Sequence, residues 1–204
     1  MTGRKRFKEF LKEKWSGYKI KDIGKVITGN TPSKKEPENY GGTFPWATAN
    51  DFNSKYICQT EKTLSKKGKI KARIVPSGSV LVTCIASIGK NAIAGIELST
   101  NQQINALVVK DNFNNELIYY IICHAAKKML SYTGKTAVPI INKGSFERIE
   151  LNIPINDQEQ KKIASILSTC DKEIELLNKN LGALNQQKKG LMRKLLTGKI
   201  RVKV

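Results

Sequence analysis

Apolar residues in the last quarter of the chain recur at alternating steps of four and three residues. This spacing is that of a coiled-coil seam, the apolar stripe along which one helix packs against another. Asn156 and Asp157 can accept from the free N–H groups that begin such a helix, Glu159 fits a capping box, and Gly198 can end it. A helix this long cannot bury its whole apolar stripe against a small domain, so most of the seam is expected to meet another helix. The chain contains no second seam of this length. The predicted seam consists of Ile163, Leu167, Cys170, Ile174, Leu177, Leu181, Leu184, Lys188, Leu191 and Leu195.

Before this helix, short apolar runs separated by turn residues are typical of β-strands. Such runs follow Trp15 and recur over residues 44–52, 79–87 and 104–109, whereas residues 115–132 show a helical pattern. The predicted fold is therefore mixed α+β. We expect a basic leader over residues 1–14, a β-rich domain over 15–155, and a coiled-coil helix with a short tail over 156–204.

The charge of the chain narrows the choice of partner. Its 204 residues include 36 basic and 17 acidic ones, a formal net charge of +19. A field of this sign and strength usually binds a polyanion, and a nucleic acid is the partner that we favour. An anionic membrane surface is the alternative, but it calls for basic residues on one amphipathic helix, whereas here they are spread over every segment.

The chain is expected to be a soluble, cytoplasmic protein with no membrane contact. It contains no apolar run of about 18 residues, and its first residues lack the apolar core of a signal peptide. The four cysteines, Cys58, Cys84, Cys123 and Cys170, lie far apart and form no CxxC pair. We therefore expect neither a disulfide framework nor a metal site.

Several cationic turns are candidates for DNA phosphate contacts. The stretch SKKGKIKAR places its basic residues around a glycine, which predicts a flexible cationic loop. The alternative is that these charged side chains are simply solvated and bind no ligand. The basic candidates and one adjacent hydroxyl are Lys34, Lys35, Lys66, Lys67, Lys69, Lys71, Arg73, Lys90, Lys135, Thr136 and Lys143.

Polar side chains at the ends of the predicted strands are the second set of candidates. Amides are the side chains whose paired donor and acceptor match adenine in the major groove, although they also cap turns and staple loops. Both uses remain open here. The candidates are Thr31, Ser33, Asn50, Asp51, Asn91 and the adjacent Asn101, Gln102 and Gln103.

No motif for catalysis is visible. The chain lacks a phosphate-binding GxxxxGK[ST] loop, an H-E-x-x-H pair and the Asn-Pro-Pro-aromatic tetrapeptide of adenine methyltransferases. His124 is the only histidine, and a lone histidine in a helical pattern is more often structural than catalytic. We expect no catalytic residue and no cofactor bound by this chain.

The order of these segments resembles the DNA specificity subunit of Type I restriction-modification systems. The similarity runs from Trp15 through KIKDIGKVITGNTPSK, FPWATANDF, SGSVLVTCIASIG, TNQQINAL and GKTAVPIINKGSFERIEL. Its most specific part is the closing segment from IPINDQEQ to GKIRV, which resembles the family's spacer helix.

The resemblance implies a target recognition domain that reads one part of a bipartite site in double-stranded DNA. Catalysis would belong to partner subunits: a modification subunit that binds S-adenosylmethionine and methylates adenine, and a restriction subunit that uses ATP and Mg. Full family members hold two recognition domains and two antiparallel spacer helices, whereas this chain has one of each. Two other classes stay open, namely a self-contained nuclease or methyltransferase and a coiled-coil assembly protein that does not read DNA.

The seam is self-complementary when two copies run antiparallel about Lys179. Every seam residue then meets another seam residue, and the polar Lys188 lies toward either end, where its stem can carry the charge to solvent. We therefore expect a two-fold homodimer that reads the same half-site in opposite orientations. A register shifted by one heptad and pairing with a different half-subunit are the alternatives. The predicted pairs are Ile163 with Leu195, Leu167 with Leu191, Cys170 with Lys188, Ile174 with Leu184, and Leu177 with Leu181.

Overall fold

The computed structural model describes residues 6–132 and 139–201 and confirms the mixed α+β fold with a long C-terminal helix. The chain divides into two units, Met1–Ala164 and Ser165–Val204, so the division falls within the long helix. Among the described residues, no helix is both long enough and apolar enough to cross a membrane.

The elements are numbered in chain order. The strands are β1 (Trp15–Lys19), β2 (Gly24–Thr28), β3 (Tyr40–Ala47), β4 (Tyr56–Ile57), β5 (Thr63–Leu64), β6 (Ile74–Val75), β7 (Val80–Thr83), β8 (Asn91–Ala94), β9 (Leu98–Thr100), β10 (Ile104–Val109) and β11 (Glu150–Pro154). The α-helices are α1 (Ile20–Ile23), α2 (Lys66–Lys71), α3 (Asn115–Met129), α4 (Lys143–Glu147) and α5 (Asp157–Leu196). Single 3₁₀ turns cover Lys8–Phe10, Pro37–Asn39, Ala49–Asp51 and Leu130–Tyr132.

Within the described ranges the strands form three sheets. The central sheet has the order β2-β10-β7-β8-β4, the second sheet the order β5-β3-β9-β6, and β1 pairs with β11 alone. β7 and β8 form an antiparallel hairpin, with Val82 opposite Asn91. β3 runs parallel to β9, which places the residues that follow these two strands at the same edge of the second sheet.

The two faces of the central sheet bury two different cores. Along β7, Val80 and Val82 face the first core, whereas Leu81 faces the second, as the two-residue period of a strand requires. The first core is completed by α3, through residues such as Leu117 and Ile121. The second core contains residues of β3, β6 and β9, so it lies between the two larger sheets.

The beginning of α5 belongs to the first unit. The Asn156 carboxamide oxygen accepts from the backbone N–H groups of Gln158 and Glu159, at 2.9 and 3.2 Å, which confirms the predicted cap. Ala164 is buried in the first core and Ile163 packs against it. Ile163 is thus partly buried against its own domain, which leaves less of this side chain for the predicted seam contact with Leu195.

Candidate nucleic-acid interface

An open cleft of about 870 Å³ lies where three polar loops converge at the edge of the second sheet. The 29–39 loop, between β2 and β3, forms one wall, residues 48–50 form another, and residues 101–103 form the third. The cleft is lined by Thr31, Lys34, Pro37, Tyr40, Gly41, Trp46, Thr48, Ala49, Asn50, Glu61, Lys62, Thr63, Asn101, Gln102 and Gln103. Candidates from three separate stretches of the sequence thus share one site.

Two aromatic residues of β3 hold the 29–39 loop in place. The buried Trp46 donates its indole N–H to the carbonyl oxygen of Asn30 at 3.1 Å. Tyr40 packs edge-on against Trp46 and donates its hydroxyl to the carbonyl oxygen of Pro32 at 2.6 Å. Burial raises the pKa of Tyr40, so this hydroxyl keeps its proton and stays a donor.

The three adjacent amides have different roles. Asn101 is buried, its Nδ2 donates to Gln103 Oε1 at 3.1 Å, and its Oδ1 accepts from the Gln103 backbone N–H at 3.0 Å. Asn101 therefore staples the turn before β10. Gln102 is exposed in the cleft, and its Oε1 accepts from the Thr31 hydroxyl. The Gln102 Nε2 group makes no hydrogen bond to the described residues, so its two N–H donors are available to a ligand.

The candidates Asn50 and Asp51 also have different roles. Asp51 forms a capping box with Thr48, whose backbone N–H donates to Asp51 Oδ2 at 2.7 Å. Asp51 Oδ1 accepts from the backbone N–H of Glu61 at 2.8 Å. The cap is thus the role of Asp51, whereas the exposed Asn50 stands at the rim of the cleft.

The prediction of a flexible loop at SKKGKIKAR is wrong, because residues 66–71 form helix α2. Ser65 caps this helix, accepting from the backbone N–H of Gly68 at 3.1 Å. Lys67 and Lys71 form ion pairs with Glu38 and Glu36, respectively. Two further basic candidates here are also engaged: Lys69 pairs with Glu97 at 2.9 Å and Arg73 donates to the Thr28 carbonyl oxygen at 2.8 Å.

Three further candidates, Lys90, Asn91 and Lys143, do not line the cleft. Lys90 is exposed at the β7–β8 connection, and Asn91 donates its amide to the carbonyl oxygen of Gly89 at 3.0 Å. Lys143 begins α4 and lies 3.6 Å from Glu147, so it stands on a helix rather than on the predicted turn. Lys135 and Thr136 fall outside the described residues. Within the described ranges no group of three or more His, Cys, Asp or Glu is placed to hold a metal ion.

Exposed cations stand at and beside the cleft. Lys34 and Lys62 line it, and Ser33 and Lys35 are exposed on the 29–39 loop. Lys62 is not among the predicted phosphate contacts, because in the sequence it is a single lysine between polar residues. Its position directly before β5, which pairs with β3, is the signal that could have found it.

The second unit presents an apolar stripe along α5. Leu167 is half-buried, and Cys170 is exposed. The aliphatic seam residues beyond them are between 42 and 61% exposed, which is unusual for large apolar side chains at regular helical spacing. They are Ile174, Leu177, Leu181, Leu184, Leu191 and Leu195.

The sequence matches one family model over residues 12–186, that of the Type I restriction modification DNA specificity domain. The chain belongs to this family. Among curated relatives, the MjaIX specificity subunit of Methanocaldococcus jannaschii is 36% identical over 170 residues, 79% of this chain and 39% of the relative. The HindI specificity subunit of Haemophilus influenzae is 32% identical over 198 residues, 91% of this chain and 42% of the relative.

Solved structures of specificity subunits share the fold. The S subunit from M. genitalium superposes with a TM-score of 0.66 at 15% identity, covering 92% of this chain and 47% of that one. The HsdS subunit from Thermoanaerobacter tengcongensis gives a TM-score of 0.64 at 17% identity, covering 88% and 44%. This specificity-domain chain therefore spans less than half the length of the relatives it matches. The predicted family is confirmed, and its members are named as specificity components rather than as catalytic subunits.

Proposed function

We propose that this specificity-domain chain recognises one DNA half-site through the cleft and pairs with a second copy of itself through α5. The observation that carries the DNA-binding part is the convergence of the 29–39 loop, Asn50 and Gln102 on one open, cation-bearing cleft. Phosphate contacts position a protein on DNA, whereas amide contacts to base edges supply specificity.

The side chains of the cleft fall into the same two groups, phosphate contacts and base contacts. Lys34, Lys35 and Lys62 are exposed ammonium groups and serve as the phosphate contacts. Gln102 and Asn50 are the exposed amides and serve as the base contacts, while Thr31 orients the Gln102 carboxamide. Asn101 and Asp51 act only by shaping the loops, because their polar groups are already satisfied within them.

The exposed stripe of α5 supports the pairing. In an antiparallel pair centred on Lys179, Leu177 meets Leu181, Ile174 meets Leu184 and Leu167 meets Leu191. Ile166 and Met192, which are both exposed, flank the outermost of these layers. The pairing now begins at Leu167, since Ile163 packs against the domain core.

Lys188 favours the antiparallel arrangement. In a parallel pair the two Lys188 ammonium groups would face each other across the seam, which is unfavourable. In the antiparallel pair Lys188 meets Cys170, next to the acidic side chain of Asp171. The lysine can then extend its charge past the seam toward that carboxylate.

The dimer would act with the catalytic subunits of a Type I system. The modification subunit would bring S-adenosylmethionine and methylate adenine, and a restriction subunit would bring ATP and Mg for translocation and cleavage. Two identical domains related by a two-fold axis would read the same half-site in opposite orientations, at a separation set by the helix pair.

Single-molecule methylation sequencing of a host that expresses the chain with its modification subunit tests this function. The expected result is a palindromic bipartite motif with a spacer of one length. An asymmetric motif would contradict the homodimer, and no new methylation would contradict the recognition role. Light scattering at micromolar concentration, alone and with the modification subunit, should return the mass of a dimer; a monomer under both conditions would overturn the pairing.

A further inference from the structure

Helix α2 is packed against the 29–39 loop at its backbone. Gly68 faces Asn39, and a Cβ added at Gly68 would lie only 2.0 Å from the Asn39 carbonyl oxygen. The backbone N–H of Ser65 donates to this same oxygen at 2.9 Å, and the Ser65 hydroxyl donates to the carbonyl oxygen of Glu38 at 2.6 Å. The start of the helix is thus joined to the end of the loop.

The other end of α2 is joined to the beginning of the loop. The Asn30 side chain donates through Nδ2 to the carbonyl oxygen of Lys71 at 2.8 Å. Its Oδ1 accepts from the backbone N–H of Arg73 at 2.7 Å. The loop is therefore bonded to both ends of the helix. In its central part, Thr31 and Lys34 line the cleft, and Ser33 and Lys35 are exposed beside it.

Two of the lysines of α2 add ion pairs between the helix and the loop. Lys67 binds Glu38 and Lys71 binds Glu36, and both glutamates are loop residues. The hydrogen bond from Lys71 lowers the pKa of the Glu36 carboxyl, and the hydrogen bond to Glu38 raises the pKa of the Lys67 ammonium. Lys69 differs, because its partner Glu97 lies between β8 and β9 and outside the loop.

We propose that Lys67 and Lys71 are positioning residues, which hold the 29–39 loop through Glu38 and Glu36 and do not bind DNA phosphates themselves. The proposal rests on the DNA-binding function of the cleft. A lysine that left its glutamate for a phosphate would expose that carboxylate beside the DNA, and the gain in charge neutralisation would be lost. The role of these lysines is therefore opposite to the one that the charge run predicts.

The direction in which a glutamate substitution changes DNA affinity distinguishes the positioning role from a phosphate-contact role. The double variant Glu36→Gln, Glu38→Gln makes the protein more positive, so a field or phosphate-contact role predicts tighter DNA binding. The positioning role predicts binding that is weaker by roughly threefold to tenfold, the scale of two exposed ion pairs. Binding is measured by fluorescence anisotropy at one fixed salt concentration, with a duplex that carries the motif found by methylation sequencing. Binding equal to or tighter than wild type would overturn the proposal.

Two matched variants control for charge. Lys69→Gln removes one charge from the same helix without touching the loop, so it should weaken binding less than Lys71→Gln does. The swap Glu36→Lys, Lys71→Glu conserves net charge and should recover most of the affinity that Lys71→Gln loses. A Lys69→Gln effect as large as that of Lys71→Gln, or a swap that recovers nothing, would contradict the positioning role.

Hydrogen exchange of the DNA-free protein tests the same proposal independently. Backbone amides of residues 29–39 should exchange faster in Lys67→Gln, Lys71→Gln than in wild type, and at the wild-type rate in Lys69→Gln. Unchanged exchange in the double variant would reject the positioning role even if DNA binding is intact. Wild-type protein that binds no DNA, with faster exchange in the variant, would instead reject the proposed function.

Discussion

The Arg6 guanidinium and the Glu159 carboxylate form a two-pronged ion pair between the two ends of the first unit. Arg6 Nε lies 3.0 Å from Glu159 Oε1, and Nη2 lies 2.6 Å from Oε2. The Trp15 indole donates to Oε1 as well, at 3.1 Å. The Glu159 side chain is 1% exposed and that of Arg6 is 13% exposed. Arg6, a residue of the predicted basic leader, is therefore part of the packed domain, and Glu159 bonds to Arg6 and Trp15 instead of closing the predicted capping box.

Glu159→Gln should destabilise the first unit by about 3 kcal/mol, because it leaves a largely buried guanidinium without its counter-charge. Urea unfolding followed by circular dichroism measures the change. Glu9→Gln is the control: Glu9 pairs with Lys162 in an exposed position, so its loss should not shift the urea midpoint. A Glu159→Gln midpoint equal to that of wild type would show that the pair contributes nothing.

Oxidative cross-linking should reveal the direction of the α5 pairing. Cys170 meets Lys188 in the antiparallel pair, so Lys188→Cys should give a covalent dimer under mild oxidation, since facing seam positions approach disulfide distance. The measurement is a non-reducing gel, in a Cys58→Ser background because Cys58 is also exposed. The same background with Lys188 intact should stay monomeric on that gel. A Cys170 to Cys170 cross-link there would indicate a parallel pair.

Alkaline pH should weaken the fold through Cys84. Burial raises the pKa of this thiol from 9.0 to about 11. Between these values the unfolded chain loses the proton that the folded chain keeps, so the free energy of unfolding falls as pH rises, by roughly 2 to 3 kcal/mol. The stability difference between wild type and Cys84→Ala, measured from pH 8 to 11, should show this fall. A pH-independent difference would contradict it.

Local features of the sequence predicted the long C-terminal helix. Helix α5 and its Asn156 cap depend on residues that are near one another in the chain, and local patterns carry that information. Helix α2 could not be predicted in this way. Its central glycine lowers the helix propensity of a stretch only six residues long, and the Ser65 cap is a weak signal by itself. The contact of Gly68 with Asn39 also holds the helix in place, and this contact depends on a segment distant in sequence.

The roles of the residues at the cleft could not be predicted for a similar reason. Residue type alone marked Asn101, Gln102 and Gln103 equally, since three adjacent amides look alike in a sequence. Burial and hydrogen bonding separate the stapled Asn101 from the exposed Gln102. The pairing of Arg6 with Glu159 was equally invisible, because nothing local relates two residues at opposite ends of a domain.

The salt dependence of DNA binding should identify the phosphate contacts. Each lysine that neutralises a phosphate contributes about 0.9 to the slope of log K against log salt concentration. Lys34→Gln, Lys35→Gln and Lys62→Gln should each reduce the slope by about that amount and leave the methylated motif unchanged, because ammonium groups on the backbone read no sequence. Gln102→Ala should do the reverse, keeping the slope and relaxing one position of the motif. A Gln102→Ala protein with the wild-type motif would remove Gln102 from the base contacts, and unchanged slopes in all three lysine variants would place the DNA elsewhere on the domain.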